Sequence, residues 1–287
     1  MNDKKKVEAI YELSPLQEGM LFHTAANPAA GLYFEQTSYS LSGRLDVERF
    51  RLAWESAVER HAILRTAFNR GATAQVVFKR ASAPWTCLDW RELPEAERES
   101  ALQDFLTRDR QEGFDITNAP LLRFALMRLT DATYKFVVSY HHVLLDGWSY
   151  VRLLKEVTTT YEALGRGAST RLPEPRPFRD YIKWLKRQDG TKAEEFWRGR
   201  LRGIAEPVYL ADAFSKNTPG GELNEIERVI DSEATGLAEL TRRAQVTLNT
   251  IVQGAWALLL SRYTGKSSLL FGATVSGRPH DLPGVES

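Results

Sequence analysis

Two adjacent histidines followed by an aspartate and a glycine give the strongest chemical signal in the sequence. His141 and His142 precede Asp146 and Gly147 in the order His-His-Val-Leu-Leu-Asp-Gly. Neighbouring residues that leave a strand point to opposite sides. One imidazole can therefore face an open cleft as a proton-transfer group while hydrogen bonds hold the other inside. A satisfied structural pair of histidines fits the same residues equally well, so the residues alone leave both interpretations open.

The residues around this loop restrict its chemistry further. Asp146 can anchor the loop through a buried basic partner, and Gly147 permits a tight turn or the close approach of a substrate. A metal site is not predicted, because the two histidines point apart and no cluster of Cys or Glu residues supplies further ligands. There is no Gly-x-Ser-x-Gly elbow, and Cys87 lacks a local partner, which disfavours a covalent enzyme intermediate. The mechanism that remains is the direct transfer of a group between two bound substrates.

A strand and a helix are predicted to hold the two ends of this loop. Leu121–Leu129 and Tyr134–Tyr140 are rich in aliphatic and aromatic residues and flank a turn signal, which predicts a hairpin or neighbouring strands. The second of them looks buried on both faces. After the loop, Ser149 is the predicted cap of a helix with one apolar face.

The rest of the chain alternates between helical and strand-like patterns. Helices are predicted after Ser14 through His23, after Asp46 through His61, and at Phe178–Gln188, Thr191–Leu201, Ala234–Ala244 and Asn249–Tyr263. Strands are predicted at Tyr33–Leu41, Leu223–Ile230 and Ser268–Val275. Two glycines and three prolines between residues 165 and 177 indicate a boundary between two α/β lobes.

Composition excludes several classes of protein. The 287 residues carry 38 basic and 37 acidic side chains, a net charge of +1, which offers no footprint for nucleic acid or an anionic membrane. Ile251–Leu260 is the most apolar run and is too short to span a bilayer. The single cysteine fits a reducing compartment. These observations predict a cytoplasmic protein with no nucleic-acid or membrane partner.

Four sequence motifs together resemble one enzyme family. The His141–Gly147 segment, continued by Trp148 and Ser149, resembles the HHxxxDG active-site motif of condensation domains of non-ribosomal peptide synthetases. These domains belong to the chloramphenicol-acetyltransferase-like superfamily. Residues 14–23 (SPLQEGMLFH), 60–68 (RHAILRTAF) and 178–185 (FRDYIKWL) resemble further motifs of the family in the same order. The next motif, a Gly-x-Phe-x-Asn-Thr-like segment, does not follow, so we expect a chain truncated at its C-terminus that is itself inactive.

The resemblance implies an α/β fold. It consists of a chloramphenicol-acetyltransferase-like lobe, with a mixed sheet flanked by helices, plus the beginning of a second, similar lobe. The expected N-terminal lobe covers residues 13–170, and the incomplete C-terminal lobe covers residues 171–287. Residues 1–12 are similar to the short segments that dock an upstream synthetase subunit, and they equally suit a frayed, solvated terminus.

The resemblance also assigns roles to the site residues. His142 is the implied catalytic histidine, which either takes a proton from the amine or orients the amine and stabilises the tetrahedral species. The backbone N–H of Gly147 is a candidate donor beside it. His141 is the implied buried neighbour. Asp146 is implied to pair with Arg65 and so to hold the loop, because a bidentate guanidinium–carboxylate pair can join two separate elements.

The implied reaction is amide-bond formation between two carrier-bound thioesters. The α-amine of an acceptor aminoacyl thioester attacks the thioester carbonyl of a donor peptidyl or aminoacyl group. Donor and acceptor carrier proteins are the implied partners. Their phosphopantetheine arms are substrates, and no cofactor is expected to be bound covalently. The C-terminal docking segment of an upstream subunit and a downstream adenylation domain are further implied partners.

Two other functions compete with this one. The chain could be an acyltransferase of the same superfamily that uses a soluble acyl-thioester, or a catalytically silent module that recruits carrier proteins. Within the condensation family, the forms PLQEGMLFH and HHVLLDGWS resemble the subgroup that joins a D-configured donor to an L-acceptor.

Overall fold

The computed structural model describes residues 6–27, 30–69, 71, 73–203 and 233–285. Contacts divide the chain into two compact units, of which the first comprises residues 1–188 together with 276–287 and the second comprises 189–275. The first unit therefore extends past the predicted lobe boundary at residue 170. It also takes in the last residues of the chain.

A four-stranded mixed sheet forms the centre of the first unit. Its strands are β2 (Phe34–Ser42), β5 (Trp85–Asp89), β6 (Leu122–Arg128) and β7 (Thr133–His141), in the spatial order β2-β7-β6-β5. Strands β6 and β7 pair antiparallel as the predicted hairpin, and β5 pairs parallel with β6. β7 is a central strand, which fits its predicted burial.

Helices cover both faces of this sheet, as predicted for a mixed sheet flanked by helices. On one face the main core combines residues of α1 (Pro15–Ala26), α2 (Val47–Arg60) and α4 (Gly147–Gly165) with inward residues of the strands. Trp54 is its largest member, with its ring centroid 4.6 Å from that of Phe124 and 5.6 Å from that of Phe136. A smaller cluster on the other face packs α3 (Glu95–Glu112) against Val137.

A second, three-stranded sheet includes the N-terminal residues that resemble a docking segment. It consists of β1 (Val7–Glu12), β4 (Ala74–Phe78) and β3 (Thr66–Phe68), with β4 in the middle. The 3₁₀ turn Ala62–Arg65 leads from α2 into β3. Because β1 is hydrogen-bonded along β4, residues 7–12 form an outer strand of this sheet.

Four segments beyond α4 are helical where helices were predicted. In the first unit, α5 spans Phe178–Leu185. In the second unit, α6 spans Gly190–Leu201, α7 spans Glu233–Ala244 and α8 spans Leu248–Thr264.

The two strands predicted in the second unit have different outcomes. The segment predicted as a strand at Leu223–Ile230 lies outside the described residues. The strand predicted at Ser268–Val275 is wrong, since the backbone there forms no strand. A strand requires a hydrogen-bonded neighbour, and within the described part of this unit no strand stands beside it.

A buried ion pair attaches α3 to the four-stranded sheet. The Nε atom of Arg123 on β6 lies 2.6 Å from Oδ1 of Asp109, and the two side chains are only 14% and 8% exposed. The Oδ2 atom of Asp109 accepts hydrogen bonds from Gln36 and Ser139 on two other strands. One carboxylate therefore joins the helix to three strands.

We expect Asp109→Ala to lower the free energy of unfolding by about 3–5 kcal/mol, because it leaves the Arg123 guanidinium buried without its counter-charge. Urea unfolding followed by circular dichroism measures this loss. The control is Asp104→Ala, which removes an exposed carboxylate from the same helix and is expected to change little. Equal small losses for both variants would contradict a structural role for the pair.

Candidate active site

The pairing of β2 with β7 orients the two histidines. Phe34 lies opposite His141 at the end of the ladder. One residue further on, the N–H of His142 donates to the carbonyl of Tyr33 at 2.8 Å. His142 directly follows the last residue of β7, so the alternation of side chains along a strand places the two imidazoles on opposite faces of the sheet. Their different exposure, 3% for His141 and 31% for the side chain of His142, agrees with this placement.

His141 is the buried member of the pair, with 3% of its surface exposed. Its Nδ1 atom accepts a hydrogen bond from the N–H of Val143 at 3.1 Å, and its Nε2 atom lies 3.3 Å from the hydroxyl of Thr24 on α1. Burial, with a smaller contribution from His142, lowers the pKa of His141 to about 4. This ring therefore stays neutral at physiological pH and supports the start of the loop.

His142 is the accessible member, with 31% of its side chain exposed. Its Nδ1 atom is nevertheless buried and has no hydrogen-bond partner among the described residues. Oε1 of Glu35 on β2 lies 3.6 Å from this atom, which is beyond hydrogen-bonding distance. The Nδ1 edge of the ring is thus covered by protein, while another part of the side chain is exposed.

Tyr33, whose carbonyl accepts the backbone N–H of His142, has an uncommon backbone conformation. Its φ of 62° lies in the left-handed region, which costs a bulky residue about 1–3 kcal/mol and persists only where the surroundings enforce it. Its carbonyl accepts the His142 N–H at the point where β2 begins. Such strain is concentrated at functional sites in proteins.

Asp146 begins the helix that follows the loop. It is the N-cap of α4, where its Oδ1 accepts the N–H of Ser149 at 2.8 Å. The predicted cap at Ser149 is therefore wrong by three positions. A carboxylate at this position also interacts favourably with the helix dipole.

Arg278 is the basic partner of Asp146. Its Nη1 lies 2.8 Å from Oδ2 of Asp146 and its Nη2 lies 3.0 Å from Oδ1, so the contact is bidentate. Nη2 also donates to the hydroxyl of Ser149 at 2.9 Å. Burial alone would raise the pKa of Asp146, but the hydrogen bonds from Arg278 and Ser149 outweigh it and hold the pKa at about 2.

The predicted pairing of Asp146 with Arg65 is wrong. The guanidinium of Arg65 is 7% exposed and binds Glu8 of β1 at 2.7 Å, with further bonds to the carbonyls of Glu59 and Phe78. These bonds join α2 to the three-stranded sheet. Arg65 therefore supports the fold away from the active-site loop, where its Nε and Nη1 atoms donate these hydrogen bonds.

Gly147 stands at the first position of α4 and is exposed. Its φ is not positive, so a tight turn is not what requires a glycine here. A Cβ atom at this position would meet no atom within 4 Å. Its backbone N–H belongs to the first turn, whose amides have no partners within the helix.

The family comparison agrees with this geometry. The sequence model described as "Condensation domain" matches residues 7–287. The chain belongs to the condensation-domain family. Members of this family form peptide bonds in nonribosomal peptide synthesis.

Curated relatives of this condensation domain are large peptide synthases. The chain is 42% identical over 296 residues to one of the linear gramicidin synthase subunits of Brevibacillus parabrevis, and 36% identical over 287 residues to bacitracin synthase 3 of Bacillus licheniformis. The alignments cover 100% and 99% of this chain but 4% of each relative. The chain thus spans a small part of the relatives that it matches.

Solved condensation domains share the fold. The starter condensation domain of rhizomide synthetase, in complex with C8-CoA and Leu-SNAC, superposes with a TM-score of 0.74 at 18% identity, over 91% of this chain and 59% of that one. The first condensation domain of the calcium-dependent antibiotic synthetase, bound to a substrate analogue, gives a TM-score of 0.71 at 16% identity, over 91% and 63%. No helix in the described part of our domain has the length and apolar character needed to cross a bilayer.

Sequence reasoning missed two groups of the site. Arg278 stands between a glycine and a proline in a loop-like segment, 132 positions from Asp146, and no local pattern connects the two. Glu35 lies on a strand that was predicted, but its proximity to His142 depends on which strand pairs with β7. Only the register of β2 against β7 reveals it.

We expect Asp146→Asn to destabilise the domain by about 1 kcal/mol at neutral pH, a small value because the carboxylate is partly exposed. Asparagine still caps the helix, so the substitution isolates the loss of charge. The pKa of Asp146 is about 2 in the folded domain against an ordinary value of 3.8, so this contribution is present above pH 3.8 and disappears as the pH falls towards 2. Urea unfolding of both proteins from neutral to acidic pH measures the difference, and a difference that stays constant with pH would contradict the ion pair.

Proposed function

We propose that this condensation domain joins a donor acyl or peptidyl group to the α-amine of an acceptor, both presented as thioesters on carrier proteins, with His142 as the catalytic residue. The supporting observation is the asymmetry of the two histidines. His141 is enclosed and hydrogen-bonded, whereas His142 has an exposed side and a backbone held by Tyr33. A single accessible imidazole in a fixed orientation suits proton transfer.

The proposed reaction replaces a C–S bond with a C–N bond and moves one proton from nitrogen to sulfur. The acceptor nitrogen attacks the carbonyl carbon of the donor thioester, and a C–N bond forms while the carbonyl oxygen becomes negatively charged. The proton lost by the amine passes to Nε2 of His142. When the tetrahedral species collapses, the C–S bond breaks and the same proton reaches the leaving thiolate. The products are an amide and a free thiol, and no covalent enzyme intermediate is formed.

The start of α4 supplies a candidate group for the developing oxyanion. Gly147 opens the helix, and the space where its side chain would stand is empty. A substrate carbonyl can therefore approach the backbone N–H groups of the first turn, where the helix dipole favours negative charge. The ion pair between Arg278 and Asp146 keeps this end of the helix in place.

Several finer assignments accompany this proposal. The phosphopantetheine arms of donor and acceptor carrier proteins would be the thioester carriers. An upstream subunit, through its C-terminal docking segment, and a downstream adenylation domain would be further partners, and the compartment would be the cytoplasm. Residues 15–23 and 141–149 support the subgroup that accepts a D-configured donor and an L-acceptor.

We expect His142→Ala to lower the rate of amide formation by about 100-fold or more, the usual contribution of a general acid–base group. The melting temperature should change little, because the ring is partly exposed and its Nδ1 has no partner to lose among the described residues. The measurement is the intact mass of donor- and acceptor-loaded carrier proteins after incubation with the full synthetase module.

The control for this experiment is His23→Ala, which removes an exposed imidazole on α1 and should leave the rate near that of the parent. If His142→Ala retained the parental rate, the domain would be acting as a silent recruiting module.

The stereochemical preference gives an independent prediction. We expect a carrier loaded with a D-donor to transfer its acyl group to an L-acceptor at least about tenfold faster than the matching L-donor, a difference of about 1.4 kcal/mol in the barrier. The same mass measurement compares the two donors. Faster transfer from the L-donor would refute the subgroup while leaving His142 as the catalytic residue. Equal transfer from soluble acyl-thioesters would favour the soluble-substrate acyltransferase.

A further inference from the structure

We infer that Glu35 is a positioning residue for His142, which it orients by accepting a hydrogen bond from Nδ1–H. This inference rests on the proposed function and adds a group that the family motifs do not contain. Its starting point is the buried Nδ1 atom of His142, which lacks a hydrogen-bond partner in the described part of the chain, with Oε1 of Glu35 3.6 Å away.

The strand register explains why Glu35 is beside this ring. The His142 N–H bonds to the carbonyl of Tyr33, and Glu35 pairs with Tyr140. Residues directly opposite each other in an antiparallel pair share a face, and so do residues two apart along a strand. Glu35 is therefore the diagonal neighbour of His142 on the same face, while Phe34 and His141 occupy the other.

The contact needs only a small adjustment to become a hydrogen bond. Glu35 is on an edge strand and is 45% exposed, so its side chain has room to rotate towards the ring. Catalytic hydrogen bonds are often long in proteins without substrate and shorten when it binds. Entry of a substrate on the open side of His142 would also exclude water from the carboxylate and strengthen the interaction.

The chemical consequence is a fixed tautomer. An ionised carboxylate only accepts hydrogen bonds, so Glu35 requires the proton to be on Nδ1. The lone pair is then on Nε2, where the proposed mechanism uses it to take the proton of the amine.

Asp146, the carboxylate of the motif, is not available for this task. Both oxygens of Asp146 are occupied by Arg278 and Ser149. His141 is neutral and faces away from His142. Within the described part of the chain, Glu35 is the carboxylate that lies against Nδ1 of His142.

The test compares Glu35→Leu, which keeps the volume but removes the acceptor, with Glu35→Gln, which keeps a carbonyl acceptor without the charge. Long-range ¹H–¹⁵N NMR of the histidine-labelled chain, at a pH where the ring is neutral, reports the tautomer of His142 directly. The signals are assigned by their loss in His142→Ala. The matched control is Glu48→Leu, an exposed carboxylate in the first turn of α2.

We expect the Nδ1-protonated tautomer of His142 in the parent and in Glu48→Leu, and a shift towards the Nε2-protonated tautomer in Glu35→Leu. In the full module, Glu35→Leu should lower kcat about tenfold with little change in KM, because a misplaced proton impairs the chemical step and not binding. For Glu35→Gln we expect a tautomer population and a kcat between those of the parent and those of Glu35→Leu. A purely structural role for Glu35 would change the melting temperature without changing the tautomer.

The result that would overturn the inference is an unchanged tautomer and an unchanged kcat in Glu35→Leu, while the parent module forms the amide normally. The NMR measurement needs no substrate, so it is independent of the proposed function. A tautomer that responds to Glu35→Leu in a protein that forms no amide would refute the proposed function and leave the contact between Glu35 and His142 standing.

Discussion

The antiparallel pairing of β2 with β7 is the constraint on which the site depends. It continues to the last residue of β7, where Phe34 faces His141, and one further hydrogen bond fixes the backbone of His142. Because the pleat alternates, this ladder separates two identical side chains into different environments. One becomes a neutral, buried support and the other an accessible imidazole. A slip of one residue in the register would exchange their places.

A second constraint comes from far along the chain. The bidentate bond between Arg278 and Asp146 attaches the terminal segment of the first unit to the N-cap of α4. This carboxylate performs two structural tasks, since it caps the helix and neutralises a guanidinium that is 12% exposed. It therefore fixes where the loop ends, just as the strand ladder fixes where it begins. Because only three residues lie between His142 and Asp146, fixing these two ends restricts the conformation of the loop.

Local patterns predicted the elements and the order of the site, but they did not predict its long-range partners. The Ser14 capping box, the Asp46 cap and the hairpin of β6 and β7 each depend on residues close in sequence, and all three are present. The family resemblance and the alternation of the two histidines were likewise readable from one segment. The partner of Asp146 was not, because any arginine in the chain satisfies the same chemistry. Arg65 and Arg278 are distinguished only by the tertiary fold, which gives the first to Glu8 and the second to Asp146.

Asp146 of the motif and Glu35 beside His142 differ in exposure and in partners, and this difference separates their roles. Asp146 is bonded at both oxygens, so its charge is neutralised locally and it has little freedom to move. Glu35 is almost half exposed and has no comparable anchor on the described residues around it. A carboxylate that holds a loop must be bonded before substrate binds, whereas one that orients a reacting ring can complete its hydrogen bond when the substrate arrives. On this reasoning, the aspartate of the motif maintains the shape of the site, and the glutamate of the neighbouring strand acts on its chemistry.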